Sequence, residues 1–513
     1  MIKQTTVENG MLRGIPGADP RVYVYRGVPY AAPPVGDLRW HAPVPAEDWA
    51  GVRDCARFAP ISMQNVPGSV DNIYKKEWNV DQGIEMSEDC LYLNIWTPAK
   101  DTSERLPVFV WYFGGGLQEG NTQEMEFNGE RLARRGIVVV TVNYRLNMFG
   151  FLCHPEITAE NPDFPSSFGN LDQRFGTMWV KRNIAAFGGD PDNITIGGQS
   201  SGGMSVATQL TSPLNEGLFQ KAALISGTMF TPYRAMSSNR TLREAEADGI
   251  DFFEFLGVKD LAEARTLDAF YLRDKFDEYK QQRSAKGLRT MWGTVIDDKY
   301  VIDNENDLMM QNRRWMVPLL MGHVSGDFIN RPGCASLAEL EELAKKAYGE
   351  DRAPEFMKLV EGMDLEQANA AATINANELS VRCALEATEK KDPSLPTWFY
   401  RFYADLPGDD HPGAFHSSDL WFWFESLGAC WRPFKGKDYD LARMMSNYLA
   451  NFVKTGDPNG EDVTGEKMPE WKRYNEERTA MVFTDHAEME ASCTETPWMA
   501  LTRKFYMDTI GSR

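Results

Sequence analysis

Two serines stand between two glycine pairs. Residues 194–203 read ITIGGQSSGG: β-favouring residues lead into Gly197 and Gly198, and Gly202 and Gly203 follow Ser200 and Ser201. A strand that turns sharply into a helix at Gly-x-Ser-x-Gly strains the serine backbone and lifts its hydroxyl clear of the sheet. Side chains two positions to either side would collide with such a turn, which explains glycine at 198 and 202. The chemistry this allows is nucleophilic acyl transfer, with Ser200 attacking a carbonyl carbon. Ser201 then contributes its backbone N–H to an oxyanion hole, and its hydroxyl is expected to be incidental. A second piece fits the same chemistry. Phe113-Gly114-Gly115-Gly116 follows an apolar run, and a glycine run after a strand presents unobstructed amides to a developing negative charge. Gly115 and Gly116 are the candidate donors.

The elements that must hold these pieces can be read from periodicity. Residues 107–113 (PVFVWYF) and 137–144 (IVVVTVNY) have the continuous apolar character of buried parallel strands. Between them lies a polar, Glu-rich stretch that reads as helical. Residues 171–187 carry apolar side chains at helical spacing. The segment FGGDPDN closes that helix, NITI is a short strand, SSGGMSVATQL opens the next helix, and KAALISG is a further strand. Alternation of strand and helix predicts βαβ units on a parallel sheet. Further strands are expected in VPLLMGHVSGD and at residues 397–403. The intervening segments are charged and helical, with Ser237 or Ser238 as candidate cap of the first helix. The expectation is one large catalytic domain over 1–513, with helical cap insertions over 232–320 and 335–410.

The 513 residues carry a formal net charge of −20, which argues against a nucleic-acid partner or an anionic membrane surface. Every apolar run is too short for a transmembrane segment. The start, MIKQTTVENGMLRGI, has no apolar signal core, which predicts a cytoplasmic chain, or a secreted or periplasmic one if a signal has been removed. Seven scattered cysteines form no CxxC pair and show no metal-ligand spacing; free, buried thiols are the expectation.

Longer motifs carry a resemblance. YRGVPYAAPPVGDLRWHAPVP, SEDCLYLNIWTP (87–98), VNYRLNMFGFL, GNLDQRFGTMWVKRNIAAFGGDPDNITIGGQSSGG and NFVKTGDPN follow one another in this chain. With them it resembles the type-B carboxylesterase and cholinesterase family over nearly its whole length. The resemblance implies the α/β class, an α/β-hydrolase fold whose mostly parallel central sheet is flanked by helices. It also implies a bacterial-type serine carboxylesterase that cleaves small-molecule esters through an acyl-enzyme, with no metal and no cofactor. A lipase, a cholinesterase-like esterase and a non-catalytic binding relative are the alternatives. Against the cholinesterase stand Asn330, where an aromatic residue is expected, and Trp78, which lies outside clear register with the family's choline-binding tryptophan.

By the same resemblance His416, in PGAFHSSDLWFWF, is the catalytic histidine, and LWFWF is core and gorge wall. The acid is expected after VPLLMG. The family ends that strand with a DEG-like sequence, whereas this chain reads GHVSGDF. Asp327 therefore takes the glutamate position, Gly326 the preceding aspartate and Phe328 the following glycine. Asp303 and Asp419 are the competing acids. Ser226 is implied as a second serine beside the acid, and His323 as a residue near it with a supporting or surface role. Arg145 with Asp172, and Arg39 with Glu88, are implied as buried ion pairs. Secreted members use Cys90 in a disulfide, but the expected partner segment here, FAPISMQN, contains no cysteine; Cys55 lies displaced from it, and the resemblance leaves its pairing with Cys90 open.

Overall fold

The computed structural model describes residues 1–233, 240–288, 290, 292–474, 478–490 and 495–510. Its centre is an eleven-stranded sheet. In chain order the strands are β1 (Ile15–Pro16), β2 (Tyr23–Pro29), β3 (Tyr92–Thr97), β4 (Leu106–Tyr112), β5 (Val138–Val142), β6 (Gly189–Gln199), β7 (Lys221–Ile225), β8 (Leu319–Val324), β9 (Thr397–Phe402), β10 (Ala480–Phe483) and β11 (Ala487–Glu490). Their order across the sheet is 11-10-9-8-7-6-4-5-3-2-1. From β5 through β10 every neighbour is parallel; the pairs at both ends are antiparallel. β5 (VVVTV), β7, β8 and β9 are buried at every residue. Helices therefore cover both faces, as strands buried at every residue require.

Most of the expected strands and helices form, with shifted ends. The helix before β6 spans Phe168–Asn183 and continues as a 3-10 turn, Ile184–Phe187. Gly188, at φ 77°, ends it. β6 then begins at Gly189, not at NITI, because GDPDN already joins the strand. The Glu-rich stretch after Gly116 is not a helix of any length: it holds one 3-10 turn, Met125–Phe127, and a four-residue helix, Glu130–Ala133.

Both cap insertions are helical. The first contains Leu242–Leu256, Leu261–Arg265, Ala269–Ala285 and Glu305–Met310. Ser237 and Ser238 lie outside the described residues; the helix Leu242–Leu256 is capped by Thr241 in a reciprocal box with Glu244. The first insertion ends before β8, which already includes residues 319 and 320. The second ends at Lys391, short of the expected 410, because β9 is a fully buried strand of the central sheet paired to β8 and β10. Its last helix, Ala376–Lys391, returns to the sheet and is called α2 below; α1 is Ser201–Thr211.

Both ion pairs form. The Arg145 guanidinium donates to the two Asp172 oxygens at 2.8 and 2.7 Å in a buried setting, and Arg39 grips Glu88 at 2.7 and 2.6 Å. Cys55, Cys90, Cys153, Cys334, Cys383 and Cys430 are free thiols; Cys493 lies outside the described residues. Among the described residues no helix is long and apolar enough to cross a membrane.

Candidate active site

The turn between β6 and α1 places Ser200 at φ 55°, ψ −127°, a conformation that L-residues rarely hold. The neighbouring strand and the helix hold it there: the Ser200 amide donates to the Ile225 carbonyl at the end of β7 (3.0 Å), and the Ser200 carbonyl accepts from the Met204 amide of α1 (2.9 Å). The flanking glycines are required by close approach. A Cβ on Gly198 would lie 2.3 Å from the Gly202 carbonyl oxygen, and one on Gly202 would lie 2.1 Å from that of Tyr112. The second pair also lets α1 dock, since a Cβ on Gly203 would reach within 2.5 Å of the Gly227 Cα.

Ser200 Oγ is 2.8 Å from His416 Nε2, and His416 Nδ1 is 2.5 Å from Asp327 Oδ1. Three residues far apart in sequence thus meet as one hydrogen-bonded chain. Asp327 is fully buried. Its other oxygen, Oδ2, accepts from Ser226 Oγ (2.5 Å), Asn377 Nδ2 (2.8 Å) and the Val324 amide (3.1 Å). Burial alone would raise this carboxyl. The charge and hydrogen bond of His416, with the His323 charge and the Ser226 hydroxyl, outweigh it and hold Asp327 below the usual range. Asn377, the second residue of α2, was not legible in the sequence: nothing marks an asparagine fifty positions downstream as a partner of the acid.

The loop after β4 brings Gly115 and Gly116 to the cavity that Ser200 lines. Gly115 has φ 102°, and a Cβ there would meet the Glu119 carbonyl oxygen at 2.1 Å. Gly116, at φ 67°, faces open space. Ser201 is the first residue of α1, so the positive end of that helix points at the site. The Ser201 hydroxyl is not incidental: it accepts from the Leu117 amide at 3.1 Å and ties the glycine loop to the helix.

The competing acids are elsewhere. Asp303 is half-exposed near Arg313. Asp419 is buried close by, but its Oδ2 accepts from Tyr400 Oη (2.8 Å) and Trp423 Nε1 (3.2 Å), not from His416. Burial, reinforced by the Asp327 charge, pushes its carboxyl up to about 6 despite the Tyr400 bond. Between about pH 4 and 6 the folded chain holds a proton there that the unfolded chain has released. The contribution of this group to stability therefore falls by about 3 kcal/mol as pH rises through that window, and is level above it. Asp419→Asn is expected to remove this slope, so urea melts at pH 4.5 and 7.5 should show the variant gaining on the parent at the higher pH. An unchanged gap between the two proteins would refute the assignment.

His323 is fully buried, not at the surface: Nδ1 lies 3.0 Å from the Val324 carbonyl and Nε2 3.4 Å from Glu378. Phe328, where the family has glycine, sets its ring edge-on to His416 with 4.7 Å between centroids. A cavity of about 260 Å³ opens over Ser200. Trp78 does line it, stacked on Tyr74 at 5.1 Å. Asn330 instead pairs in a short strand with Ile374. Of the LWFWF run, Leu420 lines the cavity and the aromatic residues fill the core behind it. Glu119, Glu124 and Glu126, on the stretch expected to be helical, also line the cavity.

Comparison with known proteins identifies the family. The Carboxylesterase family profile matches residues 2–375 and 363–497. The chain is 31% identical to the fumonisin B1 esterase of Sphingopyxis macrogoltabida, over 93% of this chain and 85% of that one. It is 30% identical to the para-nitrobenzyl esterase of Bacillus subtilis, over 94% of each. A solved PNB esterase structure superposes with a TM-score of 0.77 at 28% identity, covering 98% of this chain and 100% of the other. A Geobacillus stearothermophilus carboxylesterase gives 0.73 at 28%, covering 95% and 97%. The chain belongs to the carboxylesterase family: it is a serine hydrolase of carboxylic esters on an α/β-hydrolase fold.

Proposed function

We propose that Ser200 is the nucleophile of this esterase, His416 its general base and acid, and Asp327 the residue that orients the imidazole. The observation that carries the reading is the continuous hydrogen-bond chain from Ser200 Oγ through both ring nitrogens to a buried carboxylate, at 2.8 and 2.5 Å. Asp327 accepts the Nδ1 proton, which leaves Nε2 free to take the serine proton as Oγ attacks the ester carbonyl. The carbonyl oxygen becomes an oxyanion held by the amides of Gly115, Gly116 and Ser201. His416 then gives its proton to the leaving alcohol. The acyl-enzyme is released by the reverse use of the same groups, with water in place of the alcohol. No step calls for a metal or a cofactor.

The test is labelling with a fluorescent phosphonate directed at activated serines. One equivalent is expected per chain, with loss of p-nitrophenyl ester hydrolysis in step with labelling and the label on the peptide containing Ser200. Labelling at another serine, or full activity after one equivalent, would overturn the reading.

A further inference from the structure

An ester poised for attack is fixed at three points. Its carbonyl carbon meets Ser200 Oγ, its carbonyl oxygen meets the oxyanion amides, and its leaving oxygen must lie within reach of His416 Nε2, which returns a proton to it. The first carbon of the alcohol is bonded to that leaving oxygen. A side chain that stands against the imidazole at the cavity wall therefore stands against the alcohol. Phe328 is such a side chain. It lines the cavity together with Ser200 and His416, and its ring meets the imidazole edge-on, with 4.7 Å between centroids and 66° between planes. No step of the acyl transfer uses it. The backbone beneath the ring is tightly held. The Phe328 carbonyl accepts from the Ala376 amide (3.2 Å) and from Asn330 Nδ2 (2.8 Å). Ile329 and Asn330 pair with Asn375 and Ile374 in a short antiparallel ladder. On the other side lies Asp327, whose Oδ2 takes hydrogen bonds from Ser226, Asn377 and the Val324 amide. The anchor of the ring is thus part of the seat of the acid, and it cannot withdraw without disturbing that seat.

Resting on the active-site reading above, we propose that Phe328 is a specificity-determining residue for the alcohol half of the ester, admitting alcohols unbranched at the carbon that bears the oxygen and turning away those branched there. A primary alcohol presents only hydrogens beside the leaving oxygen and lets its chain run out along the cavity. A branch at that carbon adds bulk where the imidazole and the Phe328 ring already meet, and a wall that cannot withdraw answers added bulk with overpacking. The acyl half is bonded to the carbonyl carbon, one atom farther from Nε2, so its branching bears less on this ring. The structural alternative is that Phe328 only packs His416 in place. It predicts an equal loss for every ester when the ring is removed, because the imidazole serves all substrates alike.

Two pairs of isomeric esters test this. In 2-phenylethyl and 1-phenylethyl acetate the branching differs on the alcohol side; in 4-nitrophenyl pentanoate and 4-nitrophenyl pivalate it differs on the acyl side. The parent is expected to favour 2-phenylethyl over 1-phenylethyl acetate by about tenfold or more in kcat/KM. In Phe328→Ala that ratio should fall by about tenfold, while the pentanoate-to-pivalate ratio stays within about twofold of the parent value. Phe328→Leu, which keeps part of the bulk, should lower the alcohol ratio by less. Each ratio is internally referenced, so neither a smaller folded fraction nor slower turnover from a looser imidazole mimics the result. A parent without the alcohol preference, an alcohol ratio that survives Phe328→Ala, or an acyl ratio that falls as far would overturn the assignment. Failure of the parent to hydrolyse any of the four esters would instead overturn the active-site reading on which it rests.

Discussion

Ser200→Ala is expected to abolish ester hydrolysis, with a fall in kcat of about 10⁶-fold, the order seen when a serine hydrolase loses its nucleophile. No neighbouring group can replace it. His416 Nε2 is 2.8 Å from Ser200 Oγ, whereas the Ser201 hydroxyl is turned away to accept from the Leu117 amide. Ser201→Ala should therefore fold and react, but not as well as the parent. It leaves the buried Leu117 N–H without an acceptor and frees the loop carrying Gly115 and Gly116, at a cost of about 1–3 kcal/mol, so a loss of roughly 10- to 100-fold is expected. The check is kcat on p-nitrophenyl acetate for both variants, with circular dichroism to establish folding. Equal losses in two folded variants would remove Ser200 from its role.

Asp327→Asn should lower kcat by about 10⁴-fold with little change in KM, because an amide at this position permits the wrong histidine tautomer. Asp327→Glu is a sharper probe, since it restores the family's usual residue. The shorter aspartate reaches His416 here because the loop is drawn in close. Ser226, Asn377 and the Val324 amide all fasten Oδ2, and a Cβ on Gly326 would lie 2.5 Å from the Ala414 carbonyl oxygen. An added methylene must displace that arrangement. The glutamate variant is expected to keep partial activity, above the asparagine variant and below the parent. Asp419→Asn should stay active, because Asp419 bonds Tyr400 and Trp423. Steady-state kinetics on all three decide it: a nearly normal Asp327→Asn beside an inactive Asp419→Asn would show that the acid is the wrong aspartate.

Local sequence carried much of this protein. The glycines around Ser200 betray a turn too tight for any Cβ, since the constraint lies within five residues of the serine. The apolar runs of β4, β5, β7 and β8 declare strands buried on both faces. The motif order placed His416 and, through GHVSGDF, Asp327. Other features depended on contacts made after the chain had folded. Asn377 reaches the acid only because the second insertion ends by laying α2 along β8. The Ser201 hydroxyl has a role only because the glycine loop comes to rest above it. Residues 117–128 look helical by composition, yet they hold only the 3-10 turn Met125–Phe127, and three of their glutamates line the cavity. Periodicity reports which face of a regular element is buried; it cannot report where a side chain on an irregular loop points, or which distant partner it meets. Those are set by tertiary packing, and here packing decides the depth, the acidity and the closest supports of the site.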